Sequence, residues 1–353
     1  MTASKRAKIL QRTWVGGSIA AALTLTLYGA HAVGSGWPIL IAGAVVTLVC
    51  VFELGRMGRL AQRDFAWVLT PAALAVILST ADATRAFYGE SVADRERWLG
   101  YWQGTLASEY LWAIVVAAIL HAIHSTLRPL GRWRPWPQIA VLALASAWLW
   151  RLFVRPSTPP EENYLVFAAA GLVALRSLAR GAYWRTDFLI AIGLAAWASV
   201  PLPALTKVWY LFGEQGLIAL VLLSKIGDIA GYYAGSALGK HHPFKSISPG
   251  KTTEGCVASL VAGTLAGMAV VGTGLVHSSS LGVLGGALAG AAINLAAQAG
   301  DLFESWVKRR SGVKDSSTWF GPSGGMLDLV DSLLFSIPVA LWVWPHVFDL
   351  AQV

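Results

Sequence analysis

Charge is scarce in this sequence. Of 353 residues, 27 are Lys or Arg and 19 are Asp or Glu, so charged side chains make up 13%, against ~25% in an average soluble domain. Cysteine is scarcer still. Cys50 sits in one apolar run and Cys256 at the start of another, which excludes a disulfide framework and offers no metal-ligand spacing. Runs that alternate polar and apolar residues are also lacking, so the sequence gives no basis for a transmembrane β-barrel. Apolar residues are plentiful, at 56% of the chain, 17 Trp among them, and there are 36 Gly besides. A soluble chain of this length could not hide that much apolar surface around one or two cores. A soluble enzyme, a disordered chain and a disulfide-stapled secreted domain are therefore excluded. The expected class is an all-α polytopic membrane protein.

A bilayer core of ~30 Å needs ~20 apolar residues per helix. Eleven runs qualify, near 14–32, 37–55, 66–81, 108–125, 136–154, 163–178, 188–204, 214–237, 254–276, 281–300 and 331–348. The third, sixth and seventh are short or interrupted by Pro, so the expectation is 9–11 transmembrane helices. With a cytoplasmic N-terminus, 20 of the 27 basic residues fall in loops on one side, from Lys5 and Arg6 to Lys308 and Lys314. That bias is the positive-inside pattern, and it accounts for the net charge of +8 without nucleic acid as a partner. The expected location is the cell membrane, multi-pass, with the polar loops in the cytoplasm and the C-terminus outside. Ala30-His31-Ala32 after a basic N-terminus loosely resembles a signal-peptide cleavage site. The apolar stretch is long enough to span, however, and a second span follows closely, so the reading is a retained first helix.

Composition divides the chain into an N-terminal set of transmembrane helices, residues 1–205, and a C-terminal domain, 206–353. From about residue 224 the polar residues gather into two stretches, 224–254 and 300–332. In the first, Lys225 and Asp228 stand three apart inside an apolar span, where an ionisable group is costly and marks a site by default. Gly227, Gly231, Gly235 and Gly239 share one helical face, a spacing suited to close helix packing. The hydroxyls of 246–253 and Lys251 precede the next helix. Backbone N–H groups and the dipole at such a start favour a phosphate. The segment is not a Walker A loop, because the position five before Gly250 is Lys245.

The second stretch places Asp301 and Glu304 at a membrane edge, then Lys308, Arg309, Arg310 and Lys314, then Asp315, Ser316 and Ser317. A Gly-rich turn, with Gly321, Gly324 and Gly325, leads to Asp328 and Asp331 on one face of the final helix. Separated carboxylates with interleaved cations suit a magnesium–nucleotide site. One or two carboxylates plus substrate phosphates hold Mg²⁺, and Lys and Arg offset the remaining phosphate charge.

Ser305-Trp306-Val307-Lys308-Arg309, Lys314-Asp315, Ser317, Phe320-Gly321, Gly324-Gly325-Met326, Asp328 and Asp331 together resemble the signature of the phosphatidate cytidylyltransferases, the CDP-diacylglycerol synthases. Asp228, Tyr232, Gly235, Gly239-Lys240 and Ser248-Pro249-x-Lys251-Thr252-x-Glu254-Gly255 resemble the same family's upstream block. The resemblance covers about 220–345. Two positions depart from it: the family's His before the Gly pair is Ser323, and the Arg after the first Asp of the last motif is Leu329. A smaller departure puts Gly231 before Tyr232, where the family has Ala. The acids and the Lys-Arg and Lys-Asp pairs are intact, which favours an active, divergent member. Arg310 is the nearest extra cation to compensate.

The resemblance implies joining of CTP and phosphatidate to give CDP-diacylglycerol and pyrophosphate. It implies catalytic roles for Asp301, Lys308, Arg309, Lys314, Asp315, Asp328 and Asp331, with Asp301, Asp328 and Asp331 holding Mg²⁺ or another divalent cation. Substrate contacts are implied for Asp228, Lys240, Ser248, Lys251, Thr252, Glu254, Ser305, Gly324 and Gly325. CTP, a lipid phosphate and the bilayer are the expected partners, and a homodimer is compatible with the sequence. Two alternatives remain open among enzymes, a CTP-dependent kinase of lipid alcohols and a cytidylyltransferase for another lipid phosphate. A transporter or scaffold fits less well, since transporter acids sit at the midplane of broken, repeated helices.

Overall fold

The computed structural model describes residues 3–57, 194 and 197–350, and the described residues contain helices and turns but no strand. The expected spans at 66–81, 108–125, 136–154 and 163–178, and most of 188–204, lie outside them. In chain order the helices are α1 (Ala3–Val33), α2 (Trp37–Arg56), α3 (Leu205–Leu238), α4 (Thr253–Gly272), α5 (Val283–Ser311), α6 (Met326–Val330) and α7 (Leu333–Val343). Single 3₁₀ turns occur at Gly321–Ser323 and Trp344–His346. Among the described residues, five helices are long and apolar enough to cross a membrane: α2, α3, α4, α5 and the run Met326–His346. The chain is therefore a multi-pass membrane protein in architecture. Helix α1 covers the expected run at 14–32 but is not one of these five.

Local chemistry explains the boundaries. Pro38 occupies the first turn of α2, where its missing N–H costs nothing. Thr252 caps α4, its hydroxyl accepting from the Gly255 N–H at 3.1 Å. Helix α5 ends at Gly312, whose φ of 74° is left-handed, after three cations in its last turn. Helix α3 is broken at Gly213 (φ 68°, ψ −166°), a conformation that glycine adopts without steric cost. The part beyond the break matches the expected 214–237 span.

Leu211, Leu220 and Leu223 of α3, Ile293 of α5 and Leu334 and Ile337 of α7 are buried together. Val257, Val261 and Leu265 of α4, and Leu284, Leu288 and Leu295 of α5, point outward, as lipid-facing positions do. Helices α4 and α5 cross through small residues. A Cβ on Gly267 would strike the Gly286 carbonyl and lie 2.9 Å from the Gly290 Cα. The glycine face of α3 meets the start of α4 in the same way, with the position of a Gly235 Cβ 2.9 Å from Thr252 Oγ1. Such close approach favours helix association in a bilayer, where apolar surface alone does not. It also brings the ends of α3, α4 and α5 together.

Candidate active site

The loop between α3 and α4 folds back on the helix it precedes. Glu254 accepts from the backbone N–H groups of Lys240 (3.1 Å) and His241 (3.4 Å), and its Oε1 lies 2.7 Å from His241 Nδ1. Within the loop, the Ser248 carbonyl accepts from the Lys251 N–H. These bonds aim Lys251 across to α5, where its Nζ is 2.7 Å from Asp301 Oδ2. Arg309 ties the same two segments a second time, its Nε donating to the Ile247 carbonyl at 3.2 Å and its guanidinium also to the Val313 carbonyl. The two polar stretches of the sequence thus form one structure. Between α3, the loop and α5 lies a cleft of about 290 Å³, lined by Asp228, Ser248, Lys251, Thr252 and Asp301 among others.

Behind Asp301, α5 carries Glu304, Ser305 and Lys308 on successive turns. Glu304 is fully buried, and its Oε2 lies 2.5 Å from Lys308 Nζ. Lys308 also reaches Asp328 Oδ1 at 2.6 Å. Asp328 Oδ2 accepts from the Ser316 N–H (2.8 Å), the Ser316 hydroxyl (2.6 Å) and the Gly325 N–H (2.7 Å). Both oxygens of Asp328 are therefore engaged by protein donors. Gly324 makes this turn possible, with φ 81° and the site of its absent Cβ against the Asp328 carboxylate.

Carboxylate oxygens of Asp301, Glu304 and Asp331 lie within 4.8 Å of one another. Asp331 is 3.8 Å from Lys225 Nζ, and the Ser305 hydroxyl approaches Asp301 at 3.4 Å. Glu304 Oε1 is buried without a hydrogen-bond partner among the described residues. Among the described residues, the carboxylates of Asp301, Glu304, Asp328 and Asp331 face the ammonium groups of Lys225, Lys251 and Lys308, and the buried, unbonded Glu304 oxygen is one that a cation would satisfy. Oxygen-only donors with surplus negative charge suit a hard divalent ion.

The structure brings most of the sequence-predicted residues to this place. Lys240, Lys314 and Asp315 are exposed, and among the described residues no side-chain bond joins them to the carboxylates. Two acids were not singled out as site residues from the sequence. Glu304 was legible from its spacing, four residues before Lys308. Glu53 of α2 is 1% exposed, yet accepts from the Ser316 (2.9 Å) and Ser317 (2.7 Å) hydroxyls and from the N–H groups of Met326 (2.9 Å) and Leu327 (2.8 Å). Its signal was a lone carboxylate in an otherwise apolar span.

The cytidylyltransferase family model matches residues 10–346. A phosphatidate cytidylyltransferase of Mycobacterium bovis is 31% identical over 267 residues, 65% of this chain and 78% of its own. Proteins of the same name from Helicobacter pylori and Aquifex aeolicus are 39% and 38% identical over 132 and 114 residues. Those matches cover 37% and 32% of this chain and 48% and 41% of the relatives. The match spans both polar stretches and the helices that hold them together, and the site they form sets lysines among a cluster of carboxylates. The chain belongs to the cytidylyltransferase family and is a nucleotidyltransferase of phospholipid biosynthesis.

Proposed function

We propose that this protein transfers the cytidylyl group of CTP to phosphatidate, giving CDP-diacylglycerol and pyrophosphate. The observation that carries the reading is the joining of the two polar stretches by Lys251–Asp301 and Arg309–Ile247 around one cleft. The cleft sets a cation at a capped helix start beside a carboxylate cluster. That is a place for two anionic substrates and a metal.

The phosphate monoester of phosphatidate is largely dianionic at neutral pH, with a second pKa of ~6. No protein nucleophile is required. A monoester oxygen attacks the α-phosphorus of CTP, the bond from that phosphorus to the bridging oxygen breaks, and pyrophosphate leaves with the electron pair. The protein positions the reactants and offsets charge. Asp301, Glu304 and Asp331 would hold Mg²⁺ or another divalent cation, which when bound neutralises nucleotide phosphate charge; Glu304 takes the place expected for Asp328, whose two oxygens are engaged by Lys308, Ser316 and Gly325. Lys308, fixed between Glu304 and Asp328, adds positive charge behind the acids. Lys251 and the hydroxyls of Ser248 and Thr252 receive a phosphate at the start of α4, while exposed Arg310 and Lys314 attract the nucleotide to the mouth. Acyl chains rest against the outward apolar faces of the helices, so the lipid stays in the bilayer.

Purified protein incubated with Mg²⁺, phosphatidate and CTP labelled at the α- or γ-phosphate tests the reading. Transfer of α-label to lipid with γ-label in pyrophosphate is the expected result. With diacylglycerol or a polyprenol in place of phosphatidate, γ-label in lipid with release of CDP identifies a lipid-alcohol kinase instead. Because Ser323 and Leu329 replace a His and an Arg of the family signature, other lipid phosphates belong in the same assay. If one of them takes α-label and phosphatidate does not, the acceptor is overturned.

The basic-loop bias supports a cytoplasmic N-terminus and a cytoplasmic site at the cell membrane. Cysteines introduced at Ser246 and Lys314, both exposed, should react with an impermeant reagent only after the cells are opened. Strong labelling of either in intact cells contradicts this orientation.

A further inference from the structure

We infer that Glu53 is a positioning residue for cytidylyl transfer, acting through Ser316 on Asp328 and Lys308; this rests on the proposed reaction. A carboxylate buried in a membrane span is expensive unless it is fully hydrogen-bonded. Glu53 accepts from the Ser317 hydroxyl and the Met326 and Leu327 N–H groups, with the Ser316 hydroxyl also in reach, and all four groups belong to the segment that carries the signature motif. The Met326 and Leu327 N–H groups begin α6 and have no intrahelical acceptor, so Glu53 supplies the partner that fixes where α6 starts. The Ser316 hydroxyl lies 2.9 Å from Glu53 Oε2 and 2.6 Å from Asp328 Oδ2. A hydroxyl has one proton to share between these two carboxylates, so its orientation couples them. From Asp328 the chain of contacts continues to Lys308 and on to Glu304, which borders Asp301 and Asp331.

Two further observations show a built arrangement. The site of a Cβ on Gly325 lies against both the Ser316 hydroxyl and the Glu53 carboxylate, so only glycine lets them meet. One residue away, Phe52 stacks on Trp319 with centroids 6.0 Å apart, and the Arg56 guanidinium lies 5.6 Å from the Phe52 ring centre. Helix α2, outside the stretch in which the signature lies, thus holds the signature loop at two points.

The test compares Glu53→Gln, Ser316→Ala, Ser317→Ala and the Glu53→Gln/Ser316→Ala double variant of the full-length protein, assayed with CTP and phosphatidate. Gln keeps the length but can accept through one oxygen only. Loss of a charge-assisted bond is expected to lower kcat by about 10- to 100-fold. The KM for CTP should stay within about threefold, because the buried Glu53 and Ser316 side chains are closed to a nucleotide arriving from solvent. Ser317→Ala breaks a contact that does not lead to Asp328, and should cost at least about fivefold less than Ser316→Ala. In the double variant kcat should fall no more than about threefold below the worse single, since both changes cut one path. Losses that multiply, a loss confined to KM, or a kcat within about twofold of wild type for Glu53→Gln would each overturn the inference. If Glu53→Gln does not fold, the two serine variants decide, and equal losses count against it. Wild-type turnover is the reference. An inactive wild type defeats the proposed reaction, whereas an active wild type matched by its variants defeats this inference alone.

Discussion

Asp331→Asn is expected to lower turnover by about 100-fold or more while leaving the protein folded in the membrane. Asp331 is 8% exposed, and its carboxylate shares a 4.8 Å cluster with Asp301 and Glu304. Asparagine keeps the shape and still accepts the Ser332 N–H that Asp331 Oδ1 takes at 2.5 Å. Only the charge is lost. Among the described residues the cation facing it is Lys225, 3.8 Å away with its side chain 38% exposed, so solvent readily takes over that partner and little stability is lost. Removing one of several crowded carboxylates also relieves like-charge repulsion, so thermal unfolding in detergent should be unchanged or shifted upward. A metal held by the cluster, by contrast, loses one of its few anionic ligands. Steady-state assays with labelled CTP, paired with unfolding curves, check this. More than about a tenth of wild-type turnover in a folded variant would remove Asp331 from the machinery.

The fold was most legible where the bilayer itself dictates it. The expected 37–55 and 254–276 runs correspond to Trp37–Arg56 and Thr253–Gly272, because a segment in lipid must satisfy its own backbone as a helix. Hydropathy failed where polar residues continue a helix. The 281–300 run stops at the first charge, yet α5 extends to Ser311. Asp301 with Ser305, and Glu304 with Lys308, are neighbours four apart that support the helix beyond the apolar stretch. Hydropathy also could not show that helix continues on both sides of the break at Gly213. At the site, Asp301, Lys308, Asp328 and Asp331 could be found from local spacing. Glu53 could not be placed, because its partners Ser316 and Leu327 lie 263 and 274 positions away. A lone carboxylate in an apolar run announces a partner without naming it.

Lys308→Met should be the most disruptive single change at the site, and it separates what Lys308 does for the fold from what it does for the reaction. The lysine is 9% exposed, with Nζ 2.5 Å from the fully buried Glu304 and 2.6 Å from Asp328. Methionine fills similar volume but leaves two carboxylates with no charge between them. Breaking a buried pair in this way costs about 3–5 kcal/mol, because the remaining ion stays desolvated. A large drop in unfolding temperature and loss of turnover are therefore expected together. Adding Glu304→Gln should return much of the stability. Among the described residues, the charge then left facing the substituted methionine is Asp328, which keeps the Ser316 and Gly325 donors. Turnover should not return, since on the proposed mechanism the double variant still lacks a cation that offsets phosphate charge and has also lost one of the three acids that would hold the metal. Unfolding curves and labelled-CTP assays on the two variants read these effects independently. If the double variant recovers activity along with stability, Lys308 is a structural counter-ion to Glu304 and the positive charge for the nucleotide comes from elsewhere, with Lys251, which lines the cleft, the next residue to test.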